Sequence, residues 1–319
     1  MKRKISILVK PNSVIYPKTA MKRCERSNDL ASRILLLLTL LTSALHAEDR
    51  QIDPTWLHRY LPQVNSAHVD FSSAPCVYKA IFGEGDAESR AMISVARFGE
   101  ATVNEHGACE SVQYERQENL YFVLEGKGIV HYADRTYPLR PNDFIYVAPG
   151  VKHSIENNSD RTLRVVIMGF KIPSTTSISV ANAEPRIVNM EDLKEQTVEG
   201  HPTSVQYKLL AGPRTGKRDA IDQAYVVVSL FWMNFAPGGT NFPHHHEAAE
   251  EIYLVVDGEG EVVAGGGMDG IEGRHPAKAG DAYYFRPNCT VGFYNQNKAG
   301  AKAHILAVRS RVPRPKDQD

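Results

Sequence analysis

The chain has 319 residues, with 37 Lys and Arg balanced by 37 Asp and Glu. That balance gives no electrostatic pull toward nucleic acid or an anionic membrane surface, so neither is an expected partner. The length suggests about two domains.

The chain opens on basic residues, Lys2, Arg3, Lys4, Lys22, Arg23, Arg26 and Arg33. An apolar run over 34–45 follows and closes on Ala44-Leu45-His46-Ala47. A positive segment, a short apolar segment and small residues at its end describe a secretory signal peptide over residues 1–47. The run is shorter than the ~20 apolar residues that a spanning helix needs. Cleavage after Ala47 and after Ala44 both remain open, and Met21 is an alternative start to Met1. Export predicts a periplasmic or secreted protein, clear of the membrane once the leader is gone, in a compartment where disulfides form. Cys24 leaves with the leader, so Cys76, Cys109 and Cys289 remain. Either Cys76 pairs with Cys109 inside one domain or three thiols stay buried.

From Val77 onward the pattern is β. The stretches 91–98, 120–124, 128–132, 144–147 and 163–168 are short, rich in Val, Ile, Phe and Tyr, and separated by Gly, Pro, Asn or Asp. Such spacing predicts an all-β sandwich or closed barrel. No long segment carries a 3.6-residue period, so helices should be few, with one short turn expected over 190–196. The chain then repeats itself. Residues 118–128 align with 250–260, 143–149 with 281–287, and Asn157 with Asn295. Two copies of one domain are predicted, over 48–171 and 208–319, joined by a linker over 172–207. The second copy is longer by a Gly-rich stretch, 265–270, which reads as an extended loop.

The stretch 238–258 carries the chemistry. It contains Pro243-His244-His245-His246, then Glu250 and Glu251 opening a β-rich run. Side chains alternate along a strand, so His244 and His246 share a face and His245 points away. A tight turn over 247–250 followed by a strand from Glu251 would lay that carboxylate beside both imidazoles, with Glu250 as the fallback if the turn is shorter. In that strand Glu251, Tyr253 and Val255 share one face, and Ile252, Leu254 and Val256 the other. Imidazole and carboxylate together suit a divalent transition metal, with Fe, Mn or Zn favoured by the carboxylate and Ni or Cu open.

Gly238, His244, His246, Glu251 and Gly258, at these spacings, resemble the first motif of the cupins. The resemblance covers 91–308 in two copies, a bicupin arrangement. It implies two tandem jelly-roll β-barrels and a metal held by His244, His246 and Glu251. In the cupins' second motif a ligand His precedes an Asn by four residues. His153 and Asn157 fit it in the first half, whereas Val291 stands in the His place of the second. Conversely, Val112, Tyr114 and Asn119 stand where His244, His246 and Glu251 stand. The first barrel is therefore expected to be metal-free and the second to hold one ion, with His153 a hydrogen-bonded structural residue. His304 offers itself as a replacement fourth ligand or as an outward-facing residue. The resemblance to quercetinase-type dioxygenases implies a metal-dependent oxidoreductase acting on a small-molecule substrate. The first half also resembles ureidoglycine aminohydrolase-type bicupins, which implies a hydrolytic alternative, and a non-catalytic binding or storage protein is the third reading. Packing of the metal-free barrel against its sister or against a second chain leaves a homodimer open.

Overall fold

The structure, a computed structural model, describes residues 53–179, 184–266, 272–297 and 300–313. The expected leader, Cys24 and the middle of the Gly-rich loop lie outside the described residues. In the first domain a seven-stranded sheet runs Arg186–Asn189, Asp143–Val147, Gln117–Glu125, Leu163–Lys171, Val95–Val103, Cys76–Gly83, Ser66–Ala67. A three-stranded sheet of Arg135–Leu139, Gly128–Tyr132 and His153–Glu156 faces it. The second domain repeats the plan. Its large sheet runs Trp56–Tyr60, Asp281–Phe285, Ala249–Asp257, Ala303–Arg311, Val227–Phe235, Val205–Pro213, Ile221–Ala224. Its small sheet runs His244–His245, Cys289–Tyr294, Glu259–Gly266, Glu272–Lys278.

The expected barrels are thus pairs of facing sheets. Among the described residues no sheet closes by hydrogen bonding into a barrel, because the apolar filling rather than a continuous ladder joins the faces. Helix is confined among the described residues to three 3-10 turns, one of them, Met190–Asp192, inside the expected 190–196. The Asn189 side chain caps it by accepting from the Glu191 amide.

Burial explains why the large-sheet strands read as continuous apolar runs. Asp143–Val147 and Asp281–Phe285 are buried at every position. One face lines its own domain, and the other packs against the sister domain. The parity read from sequence holds: Tyr253 and Val255 lie in the second domain's interior, Ile252 and Leu254 in the core between the two large sheets. Phe122 meets Trp232 across that core at 5.9 Å, and Phe82 meets Tyr284 at 5.9 Å. In the first domain's small sheet, Gly128–Tyr132 and His153–Glu156 alternate between buried and half-buried positions.

Two carboxylates clasp the domains reciprocally. Glu118 accepts from the backbone amides of Tyr225, Val226 and Val227 at 2.6, 2.9 and 2.9 Å, and from the Tyr146 hydroxyl. Its counterpart Glu250 accepts from the amides of Ile93, Ser94 and Val95 at 2.6, 2.7 and 3.2 Å, and from the Ser94 and Tyr284 hydroxyls. Both are fully buried, a placement that only complete hydrogen bonding makes tolerable. The edge strands cross over as well. Trp56–Tyr60 precedes the first domain yet pairs with Asp281–Phe285 of the second, and Arg186–Asn189 pairs back onto Asp143–Val147 of the first.

Smaller expectations are met too. Cys76 and Cys109 form a disulfide, and Cys289 is buried outside any disulfide. Asn157 donates to the carbonyls of Val103, Asn104 and Arg161, and Asn295 to those of Phe235, Ala236 and Ala301. The Asn shared by the two copies is thus a loop staple. Gly258 ends the first motif because its φ is +81° and a Cβ there would meet the Lys302 carbonyl oxygen at 2.6 Å.

Candidate metal centre

His244, His246 and Glu251 converge, but not through the expected hairpin. His244–His245 pairs with the strand bearing Val291, in the small sheet, while Glu251 sits in the large sheet between Phe285 and Arg309. The residues between His246 and Glu251 pass from one sheet to the other, so the triad forms across the domain interior. One ligand atom from each residue lies within 4.8 Å of the others. The two imidazoles meet edge-on with ring centroids 4.9 Å apart. His245 is exposed, as parity requires. Glu250, on the opposite face of its strand, is committed to the clasp and is no ligand.

Neighbours set each ligand. Thr240 Oγ1 accepts from the Phe242 amide and holds Phe242 at a φ of +56°, an unusual conformation for an aromatic residue. The Phe242 carbonyl then lies 2.8 Å from His244 Nδ1. That nitrogen must carry the proton, which leaves Nε2 as the ligand atom. Burial pushes the His244 imidazole below its ordinary pKa and favours the neutral, metal-ready form. The backbone carbonyl of His246 accepts from the Asn288 amide at 2.8 Å, tying this loop to the second-motif turn.

Glu251 is the most informative member. Burial would raise its carboxyl pKa, but His246, the Arg309 charge and His244 outweigh it and hold the group below the ordinary carboxylate value. His246 Nε2 lies 3.0 Å from Glu251 Oε2, yet that oxygen is buried and receives no hydrogen bond. An ionised, buried and unsatisfied oxygen facing two imidazoles fits a divalent cation, which supplies what the oxygen lacks.

The remaining candidates fall elsewhere. Val291 pairs directly with His244 and is apolar core, so it gives no fourth donor. His304 does not replace it. Ala303, Ile305 and Ala307 face the interior, whereas His304 is on the other side, stacked on Trp232 and 3.3 Å from Asp257. Tyr253 is interior core with its hydroxyl fixed by Asn241. In the first domain His153 is a buried structural residue, with Val151 O at Nδ1 and the Tyr121 hydroxyl at Nε2.

Three neighbours escaped the sequence reading. Arg309 pairs with Glu251 in register, and its Nη1 lies 3.0 Å from both ring nitrogens of His246. His201, from the segment joining the domains, meets His244 edge-on at 5.3 Å and Tyr207 at 5.4 Å. A signal for Arg309 existed: it continues the inward parity of Ala303, Ile305 and Ala307 as a cation on an apolar face. His201 and Tyr207 carried none, since only the fold brings the joining segment to the site.

The cupin domain model matches residues 100–169 and 231–308, one stretch in each domain. Among curated proteins, germin-like protein subfamily 2 member 4 of Arabidopsis thaliana is 26% identical over 161 residues, 49% of this chain. The match spans 66% of that relative's length, just under two thirds. Among solved structures, a Pseudomonas aeruginosa protein described as glyoxylate-induced superposes with a TM-score of 0.63 at 15% identity, covering 84% of this chain and 94% of that one. Protein Ylba from E. coli gives 0.59 at 12%, covering 87% and 98%. At these identities the likeness is one of fold, and it extends over both domains.

Proposed function

We propose that this chain, with its two cupin-like β-sheet domains, is a metal-dependent enzyme acting on a small molecule. One divalent ion per chain is held in the second domain by His244, His246 and Glu251. The observation that carries the reading is the buried, unsatisfied Glu251 Oε2 facing both imidazoles. A divalent ion held there supplies Lewis acidity, or oxygen chemistry if it is iron. The chain's own residues prepare the site. The Phe242 carbonyl fixes the His244 tautomer, Glu251 stays ionised, and Val291 leaves a coordination position without a protein donor. An incomplete protein shell is what separates a catalytic metal site from a structural one.

The specific form proposed is dioxygenase-type, with iron or manganese as the ion. The hydrolytic form would use zinc or manganese on the same three residues. The first domain takes no metal in this reading, because Val112, Tyr114 and Asn119 replace the ligands. Its role is to bury the large sheet of the second. Export to the periplasm or beyond is proposed on the basic leader and apolar run, and the Cys76–Cys109 disulfide supports it. Among the described residues no helix is long and apolar enough to cross a membrane.

Elemental analysis of protein purified without chelators tests the reading. We expect one equivalent of Fe, Mn or Zn per chain, lost in the His244→Ala/His246→Ala double variant while the fold is kept. A full equivalent in that variant would refute it, and two equivalents surviving dialysis would refute the metal-free first domain. Oxygen uptake by the iron-loaded protein, against hydrolysis by the zinc-loaded one, separates the two chemistries.

A further inference from the structure

Each domain brings one guanidinium toward its ligand positions, from different strands. In the first domain Gly169 faces both Asn119 and Arg97. In the second, Arg309 faces both Glu251 and Ser229. Register therefore puts Gly169 where Arg309 stands and Arg97 where Ser229 stands. The small residue in each domain makes room for the other's cation: a Cβ on Gly169 would meet Arg97 Cγ and Asn119 Oδ1 at 2.8 Å.

The two cations differ in how their charge is met. Arg97 is 2% exposed, and both of its terminal nitrogens are engaged, although its Nε is buried without a partner. Its Nη1 donates to Asp70 at 2.9 Å and to the Tyr114 hydroxyl at 2.7 Å, and its Nη2 to Glu84 at 2.6 Å. Tyr114 holds the place of His246, so this guanidinium lies against a residue standing at a ligand position. Two carboxylates neutralise it. Arg309 has a single carboxylate beside it, Glu251 on the neighbouring strand. Among the described residues its Nη1 contacts only the His246 ring, and its Nε is buried without a partner.

We infer that Arg309 anchors an anionic oxygen of the small molecule taken by the second domain, so that the site selects carboxylates over their neutral analogues. The inference rests on the metal reading above and extends it to substrate class. Glu251 and Arg309 cancel each other, which leaves the full charge of a divalent ion uncompensated in a largely buried site. Such a charge is costly without a counterion. A carboxylate supplies one, and the planar guanidinium matches its two oxygens. A second donor is at hand: the Tyr207 hydroxyl is buried in the same core without a partner. Burial and the Glu251 charge keep that phenol protonated.

The test is calorimetric titration of manganese-loaded protein with malonate and, separately, malonamide, with metal content measured on each sample. Wild type should bind malonate saturably and malonamide at least about tenfold more weakly. Arg309→Met should keep its equivalent of metal yet bind malonate about tenfold or more weakly, with Arg309→Lys between the two. Lys keeps the charge and serves if the Met variant does not fold: a metal-bearing Lys variant should still prefer malonate but bind it more weakly than wild type, and undiminished malonate affinity in it overturns the anchor. Malonate affinity in metal-bearing Arg309→Met within about threefold of wild type overturns the anchor. No malonate binding by metal-loaded wild type, or equal affinity for malonamide, overturns it as well. Wild type that takes up no metal sinks the reading beneath it, a separate outcome.

Discussion

Glu250 and Glu251 are adjacent in sequence, and their replacement by Gln should have opposite consequences. Glu250 accepts five hydrogen bonds inside the core between the domains, three from backbone amides of the first domain. Gln keeps the shape but turns one acceptor oxygen into a donor NH2. If the amide nitrogen takes the Oε1 place it faces the Ile93 amide and the Tyr284 hydroxyl. If it takes the Oε2 place it faces the amides of Ser94 and Val95. Either way at least one buried backbone N–H loses its acceptor, at about 1–3 kcal/mol, and the remaining bonds lose charge assistance worth ~1 kcal/mol or more. A total of roughly 3–5 kcal/mol is expected for disrupting such a buried ionic network. At roughly 2–4 °C per kcal/mol for a unit of this size, Tm should fall by about 6–20 °C. Glu251→Gln breaks no hydrogen bond to the replaced oxygen but removes the charge beside Arg309, so Tm of the metal-free protein should fall less than in Glu250→Gln while the bound metal is lost. The assay is scanning calorimetry of both variants stripped of metal, with metal content determined after reloading. A Glu250→Gln variant whose Tm stays within about 3 °C of wild type would refute the clasp. Loss of metal from it with Tm unchanged would mean that Glu250, not Glu251, is the ligand.

Three further outcomes are expected. Reduction of Cys76–Cys109, which encloses a separation of 33 residues, should cost about 3–4 kcal/mol by loop-closure entropy, read by urea denaturation with and without reductant. Arg97→Met leaves Asp70 and Glu84 without their cation and should destabilise the first domain by about 3 kcal/mol without creating a metal site, which urea denaturation and elemental analysis report together. His153 is buried neutral, with its pKa pushed by that burial below the ordinary 6.5. The unfolded chain protonates near 6.5 and the folded one only at lower pH. Stability should therefore hold above that value and fall as pH drops from it toward the folded pKa. His153→Gln should flatten that part of the profile of denaturation midpoint against pH.

The tandem plan was legible because both copies keep the same short β block, 118–128 and 250–260. The His244, His246 and Glu251 cluster was legible because strand parity is local: it needs only neighbouring residues to put His244 and His246 together and Glu251 with Tyr253. What bridges them was not. A turn of four residues reads as a hairpin, and nothing local says that the chain leaves one sheet and enters the other. Glu250 and Glu251 look interchangeable in sequence, and only the sister domain's amides assign Glu250 to the clasp. Arg97 and Arg309 were both present as charges inside apolar β runs, a violation of alternation that marks something buried and paired. Each one's partners lie on other strands, so the violation was visible while its resolution was not.

The crossed edge strands make the two halves inseparable in time as well as in space. His58 meets Asp281 at 2.8 Å across a separation of 223 residues. The outermost strand of the second sheet is therefore made first, and its docking site nearly last. Until Trp56–Tyr60 docks there, the edge at Asp281–Phe285 is an open template for another chain. Long-range pairing of this kind is slow, because the loop must close before any contact rewards it. A fragment starting at Val205 would keep His244, His246 and Glu251 yet expose that edge permanently. It should aggregate rather than behave as a miniature of the whole, even though its own core residues are all present.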